Sequence, residues 1–192
     1  MKKTHYQICV SGAAKGASVE EGKELARELG AALARAGHSL LSGATIGLPN
    51  YAAEGYKAAG GTMSVGISPA STKVEHVMKY RLPVKDYDTI LYTGLHYVGR
   101  DTLLITSSDA VVSIGGRLGT LHEFTIAMET DTPIGFLQGA GGVSEQIQTL
   151  MGLAHPLRHG AFVTFDEDAD KLISELSKFL DVEHAKYRNL YE

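Results

Sequence analysis

The 192-residue chain has one cysteine, Cys9. One thiol cannot close an internal disulfide, which excludes an oxidised, stapled secreted domain. Basic charge is also scarce: 18 Lys and Arg against 22 Asp and Glu leave a formal charge of −4. No stretch concentrates cations on one face. Without the basic footprint that a phosphate backbone demands, no nucleic acid is expected as a steady partner, which leaves a single nucleotide open. Long apolar runs are missing too. The longest, Ala110-Val111-Val112-Ser113-Ile114, has the length of a strand and falls far short of the roughly 20 residues of a membrane span. The polar start, Met1 to His5, does not read as a signal peptide. A cytoplasmic protein with no membrane partner is the expectation.

What the chain has in excess is glycine, 22 of 192 residues, against a usual share of about 7 %. Hydrophobic residues at 44 % and charged residues at 21 % are ordinary, so a chain of this length buries a real core. The question is where the glycines fall.

They punctuate a strand–loop–helix rhythm. Tyr6 to Val10 reads as a strand, followed by the small-residue loop Ser11 to Ala17. Ser18 and Glu21 match a capping box, and the helix behind them carries Leu25, Leu29, Leu33 and Ala36 on one stripe until Gly37 ends it. His38 to Leu41 reads as a second strand, Ser42 to Gly47 as a second small-residue loop, and Pro49 opens the next helix. Thr62 to Ile67 follows as a strand. Residues Ser68 to Lys85 show weak periodicity and read as an excursion near the site or a subunit contact. Asp88 to Thr93 is a strand. Leu95 to Ser107 is a helix in which Tyr97, Leu104 and Ile105 can share a face, with Arg100 and Asp101 elsewhere on it. Ala110 to Ile114 is a strand covered on both sides. The third glycine loop, Gly115 to Thr120, then leads into a helix whose inward stripe is Leu121, Phe124, Ala127 and Met128. Pro133 to Leu137, a short helix over Val143 to Met151, a strand over Ala161 to Phe165 and a helix capped by Asp166 complete the chain. The prediction is one α/β domain over residues 1–192, Rossmann-like, with a mostly parallel sheet and helices on both faces.

In such a sheet, ligands sit beyond the carboxyl ends of the strands where strand order reverses. Glycine turns there let backbone N–H groups approach a phosphate, and the helix behind adds its unpaired N–H groups and dipole. Ser11, Gly12, Lys15, Ser42, Gly43, Gly115, Gly116, Arg117, Leu118, Gly119 and Thr120 are the candidate phosphate or nucleotide contacts. The bland alternative is that these glycines only close tight turns. No loop matches the Walker or dinucleotide fingerprints. Glu123, three residues after Thr120, either complements the helix N-terminus or holds a sugar's hydroxyls and offsets positive charge as a glycosidic bond breaks. Arg100 binds phosphate or orients Glu123, or else lies on a solvated helix face. His155 and His159 have i, i+4 spacing, but Pro156 lies between them and no carboxylate completes a set, so no metal site is expected. Cys9 reads as core rather than as a nucleophile.

Over most of residues 6–137, and most specifically from Arg100 to Glu123, the chain resembles the LOG-like family. That family is also labelled "possible lysine decarboxylase" and includes cytokinin-activating phosphoribohydrolases. Its wider superfamily holds the DprA DNA-processing proteins and a molybdenum-cofactor carrier. The family motif is an Arg-Lys pair, a strand, then Pro-Gly-Gly-x-Gly-Thr-x-x-Glu. Arg100-Asp101 falls at the pair and Gly115-Gly116-Arg117-Leu118-Gly119-Thr120-Leu121-His122-Glu123 at the loop, with Ser11-Gly12 and Ser42-Gly43 at two further blocks. The departures are Asp101 for the basic residue, Gly115 for the proline and Arg117 for the second glycine. The resemblance implies catalytic roles for Glu123 and Arg100, and a homodimer or higher homo-oligomer with sites near the subunit contact. The implied reaction hydrolyses a nucleoside 5′-monophosphate to base and ribose 5-phosphate without a cofactor. The alternative it carries is a non-catalytic carrier or sensor of a nucleotide or a pterin-type molybdenum cofactor.

Overall fold

A computed structural model describes residues 4–153, 162–187 and 190. His155 and His159 lie outside the described residues. Seven strands, β1 (Gln7–Gly12), β2 (Ser39–Ser42), β3 (Ser64–Ser68), β4 (Thr89–Tyr92), β5 (Ala110–Ile114), β6 (Ile134–Leu137) and β7 (Val163–Asp166), form one sheet in the order β4-β3-β2-β1-β5-β6-β7. Every pairing among them is parallel. The helices are α1 (Ala17–Ala36), α2 (Leu48–Ala58), α3 (Lys73–Met78), α4 (His96–Thr106), α5 (Leu118–Glu129), α6 (Ile147–Leu153) and α7 (Ala169–Ala185). The single α/β Rossmann-like architecture expected from the sequence is the one observed.

Strand side chains alternate between two buried layers. Ile8, Val10, Val112 and Ile114 point to the layer built by Leu29 and Leu33 of α1, Tyr56 of α2 and Leu176 of α7. Cys9, Leu41 and Val111 point to the other, against Leu104 of α4 and Phe124 of α5. This is why β5 is apolar almost without a break: both of its faces are covered. The first layer is thin where α1 meets α2. A Cβ on Gly30 would stand 1.9 Å from the Ala52 carbonyl oxygen, and one on Gly55 would stand 2.0 Å from that of Arg27. Those two glycines serve helix packing.

Several local expectations are corrected. The capping box at Ser18 and Glu21 does not form: α1 begins at Ala17 behind Gly16, whose φ of +103° turns the chain out of the loop, a conformation no serine supplies cheaply. Asp166 does not cap α7. It accepts from the Asp168 N–H at 2.7 Å, and Asp168 is the cap, accepting from the Lys171 N–H at 3.0 Å. The excursion over residues 68–85 contains α3, capped by Thr72 at 3.1 Å. Buried His76 anchors it between the Ser68 hydroxyl at 2.8 Å and the Pro83 carbonyl at 2.9 Å. That segment packs at the β3–β4 edge. The helix end at Gly37, with φ of +80°, and Pro49 in the first turn of α2 are as expected.

Candidate functional site

Strand order reverses between β1 and β5, so their carboxyl ends flank the crevice where ligands of such sheets bind. A cavity of about 220 Å³ lies there. The β1 turn supplies Gly12, Ala13 and Ala14, the β2 turn supplies Thr45, and α4 supplies Tyr97, Arg100 and Asp101. Arg117, Gly119, Thr120 and Glu123 close it from α5 and the residue before it.

The first intrahelical bond of α5 runs from the Leu121 N–H to the Arg117 carbonyl at 3.0 Å. The N–H groups ahead of it have no helical partner and make the cavity wall a positive helix end. The turn feeding α5 is held from behind. The Gly116 carbonyl accepts from the Val143 N–H at 3.0 Å, and the Gly115 carbonyl accepts from the Ser144 N–H and hydroxyl. Gly115 and Gly116 take φ values of +60° and +99° to make that turn.

Arg100 is the buried cation of the cavity, whereas Arg117 is exposed at its wall. Arg100 is 3 % exposed, and its Nε and Nη1 atoms have no hydrogen-bond partner. The Asp101 carboxylate is 3.4 Å from Nε and also takes the Nδ1 of His122 at 3.0 Å. Arg100 gets in because Gly43 has no side chain: a Cβ there would stand 1.8 Å from Nη1. The helical face expected to separate Arg100 and Asp101 from Leu104 does not hold. All three are buried, while Tyr97 is 45 % exposed. Charged residues go inward here because a cavity, and not solvent, lies on that side of α4.

Glu123 faces the same space and accepts a hydrogen bond from the Ser11 hydroxyl at the end of β1. Burial, and then the nearby Asp101 charge, pushes its carboxyl up to about 7; the Ser11 bond and Arg100 pull the other way. Cys9, behind this cluster, is buried and its thiol is pushed up by that burial, so it is no nucleophile.

The structure therefore brings together Gly12, Arg100, Arg117, Gly119, Thr120 and Glu123, with Ser11 bonded to the last of these. It does not bring the others to the cavity wall. Lys15 is exposed, and Leu118 is 81 % exposed on the outer side of α5. Ser42 bonds Tyr87 at 2.8 Å and the Ala44 N–H at 3.1 Å, and Gly43 makes room for Arg100. Gly115 and Gly116 shape the turn behind the wall. Sequence reading passed over Tyr97 and Thr45 as cavity residues. Tyr97 carried a signal, since it lies three positions before Arg100 and so shares its side of a helix. Thr45 carried none.

Residues 5–168 match the model of the SLOG cluster4 family. The chain belongs to that family. This SLOG chain also shares its fold with DNA-processing protein A of Helicobacter pylori, 18 % identical with a TM-score of 0.54. An uncharacterized protein of Archaeoglobus fulgidus is 32 % identical over 124 residues, which is 64 % of this chain and 74 % of that one. Among solved structures, a structural-genomics target is 25 % identical with a TM-score of 0.77, covering 90 % of this chain and 99 % of its own. The molybdenum cofactor carrier protein of Chlamydomonas reinhardtii is 27 % identical with a TM-score of 0.73, covering 93 % and 99 %. What the SLOG chain shares with the two solved structures is the fold over nearly the whole of each.

Proposed function

We propose that this protein binds a small phosphorylated ligand, a nucleotide or a pterin-type cofactor such as the molybdenum cofactor, and carries or senses it without cleaving it. The observation that carries the reading is Arg100. A buried guanidinium with unused donors, beside a helix N-terminus, calls for an anion. Asp101, where the hydrolase pattern has a basic residue, offsets part of that pull. Glu123 is tied to Ser11 and only partly ionised at neutral pH, which weakens it as the carboxylate that would stabilise an oxocarbenium-like charge.

A pterin-type cofactor fits the residues present at its phosphate end, through Arg100 and the first turn of α5. Its metal would bring redox chemistry of its own. Among the described residues no cluster of His, Cys, Asp and Glu is arranged to hold a metal, so this chain's share is to bind and shield. The similarity to the Chlamydomonas carrier over nearly its whole length supports the same reading.

One observation favours hydrolysis instead: a carboxyl near 7 can give a proton to a leaving base. Incubating the protein with stoichiometric AMP, and following adenine by chromatography beside binding by calorimetry, separates the two. Binding without adenine is expected. Release of adenine and ribose 5-phosphate overturns the carrier reading in favour of the hydrolase.

The proposal includes a homodimer. Val74 and Met78 on α3, Leu91 on β4 and Val98 on α4 are each more than half exposed, on or beside the free edge of the sheet. Isolated apolar residues are normal on a surface, but exposed apolar side chains on and around an edge strand suit a contact with a second copy. Light scattering should return twice the chain mass, and a monomer at micromolar concentration refutes this part.

A further inference from the structure

A cavity of about 220 Å³ is small for what the site is read to hold. Pockets that enclose a whole cofactor-sized ligand run to roughly 300–1,000 Å³. A phosphate fills the inner end beside Arg100 and α5, and the rest of the ligand is left at the mouth. Tyr97 stands at that mouth and is, among the described residues, the one aromatic lining the cavity. We infer that Tyr97 is a stacking platform for a planar heteroaromatic ring of the ligand, and that the site selects phosphorylated compounds carrying such a ring over phosphorylated sugars.

The ring is held as a platform needs to be. Tyr80 meets it edge-on, with centroids 5.6 Å apart and planes at 78°. The Tyr80 hydroxyl in turn bonds Nδ1 of His96 at 2.8 Å. His96 opens α4 with a φ of +56°, an unusual conformation for a residue with a side chain, and the Tyr80 bond restrains it. The Arg100 guanidinium carbon lies 6.0 Å from the Tyr97 centroid, so the cation that takes the phosphate also fixes the ring. Tyr97 nevertheless remains 45 % exposed. A supported aromatic ring left nearly half exposed beside an anion site is what stacking recognition of a base or pterin requires, because every such ligand ring offers a π-face whatever its edge carries. It also gives the excursion over residues 68–85 a task. None of it lines the cavity, yet its Tyr80 sets the orientation of the ring that does.

The inference rests on the reading of the cavity as an anion site, and the test separates the two. Calorimetry would compare AMP with ribose 5-phosphate on the unaltered protein, Tyr97→Phe and Tyr97→Leu. The unaltered protein should bind AMP about tenfold more tightly, as one stacked base implies. Tyr97→Phe should keep that ratio. Tyr97→Leu should close the gap between the two compounds, with AMP falling about tenfold to the level of ribose 5-phosphate. Equal affinities on the unaltered protein, or an unchanged ratio in Tyr97→Leu, overturn the stacking role and leave the anion site standing. Loss of ribose 5-phosphate binding in Tyr97→Leu overturns it as well, since Tyr97 would then act only by placing Arg100. Failure of both compounds to bind the unaltered protein overturns the anion site itself, and the stacking role with it.

Discussion

After β2 the chain runs Gly43-Ala44-Thr45, and after β5 it runs Gly115-Gly116-Arg117-Leu118-Gly119. Both turns are small-residue loops at the same end of the sheet, yet their glycines serve different needs. Gly43 is a packing glycine: its missing Cβ is the space that the Arg100 guanidinium occupies. Gly119 is an open glycine on the cavity wall, with nothing within 4 Å of where a Cβ would stand. One turn contributes by letting a distant cation in, the other by presenting its own backbone. A glycine loop at a strand end therefore does not identify a phosphate contact until the neighbour that fills or leaves its space is known.

Substituting alanine at each position is the strongest test of that contrast. Gly43→Ala puts a methyl group into Arg100, which must swing away. Overpacking of this kind costs about 1–3 kcal/mol, and ribose 5-phosphate affinity should fall at least tenfold as the buried cation leaves its place. Gly119→Ala lies in the first turn of α5, where alanine suits a helix better than glycine. Stability should rise by about 0.5 kcal/mol, while affinity falls a few-fold because the methyl group enters the space the ligand uses. Chemical denaturation and calorimetry on both variants read the two quantities. If Gly43→Ala leaves stability and affinity intact, the packing account of the β2 turn is wrong.

The same contrast explains what could be read in the chain. Strand β5 was legible to the residue because its burial on both faces is written in consecutive apolar positions. Gly37, Pro49 and the existence of α1, α2, α4 and α5 were legible for local reasons of the same kind. Helix α3 was not: it spans six residues, its buried residue is His76, and Val74 and Met78 face out, so it has no apolar stripe to find. Arg100 and Glu123 were named from motif spacing, but the burial of Arg100 depends on a glycine 57 positions earlier in the chain, and no local pattern reports that. The turn at Gly115 and Gly116 likewise depends on Ser144 behind it.

The β5 side differs from the β2 side in one further respect, because its helix brings a titrating carboxyl into the cavity. Glu123 rises from an ordinary value of 4.5 to about 7 in the folded protein. The folded state therefore holds the proton more tightly than the unfolded chain between those values. Its stabilising effect is complete below about pH 4.5 and disappears as pH rises through about 7. For a partly buried group the change is on the order of 2 kcal/mol. Replacing Glu123 with Gln keeps a neutral group of the same shape and removes this component. Denaturant midpoints measured from pH 5 to pH 8 should thus fall more steeply for the unaltered protein than for Glu123→Gln, with the two nearest at acid pH. Ser42 and Gly43 have no ionisable group to give such a slope, and Tyr87, which bonds Ser42, is pushed upward by burial and stays neutral throughout this range. Parallel curves would mean that the Glu123 carboxyl is solvated and ordinary, and the β5 turn would then differ from the β2 turn in its backbone alone.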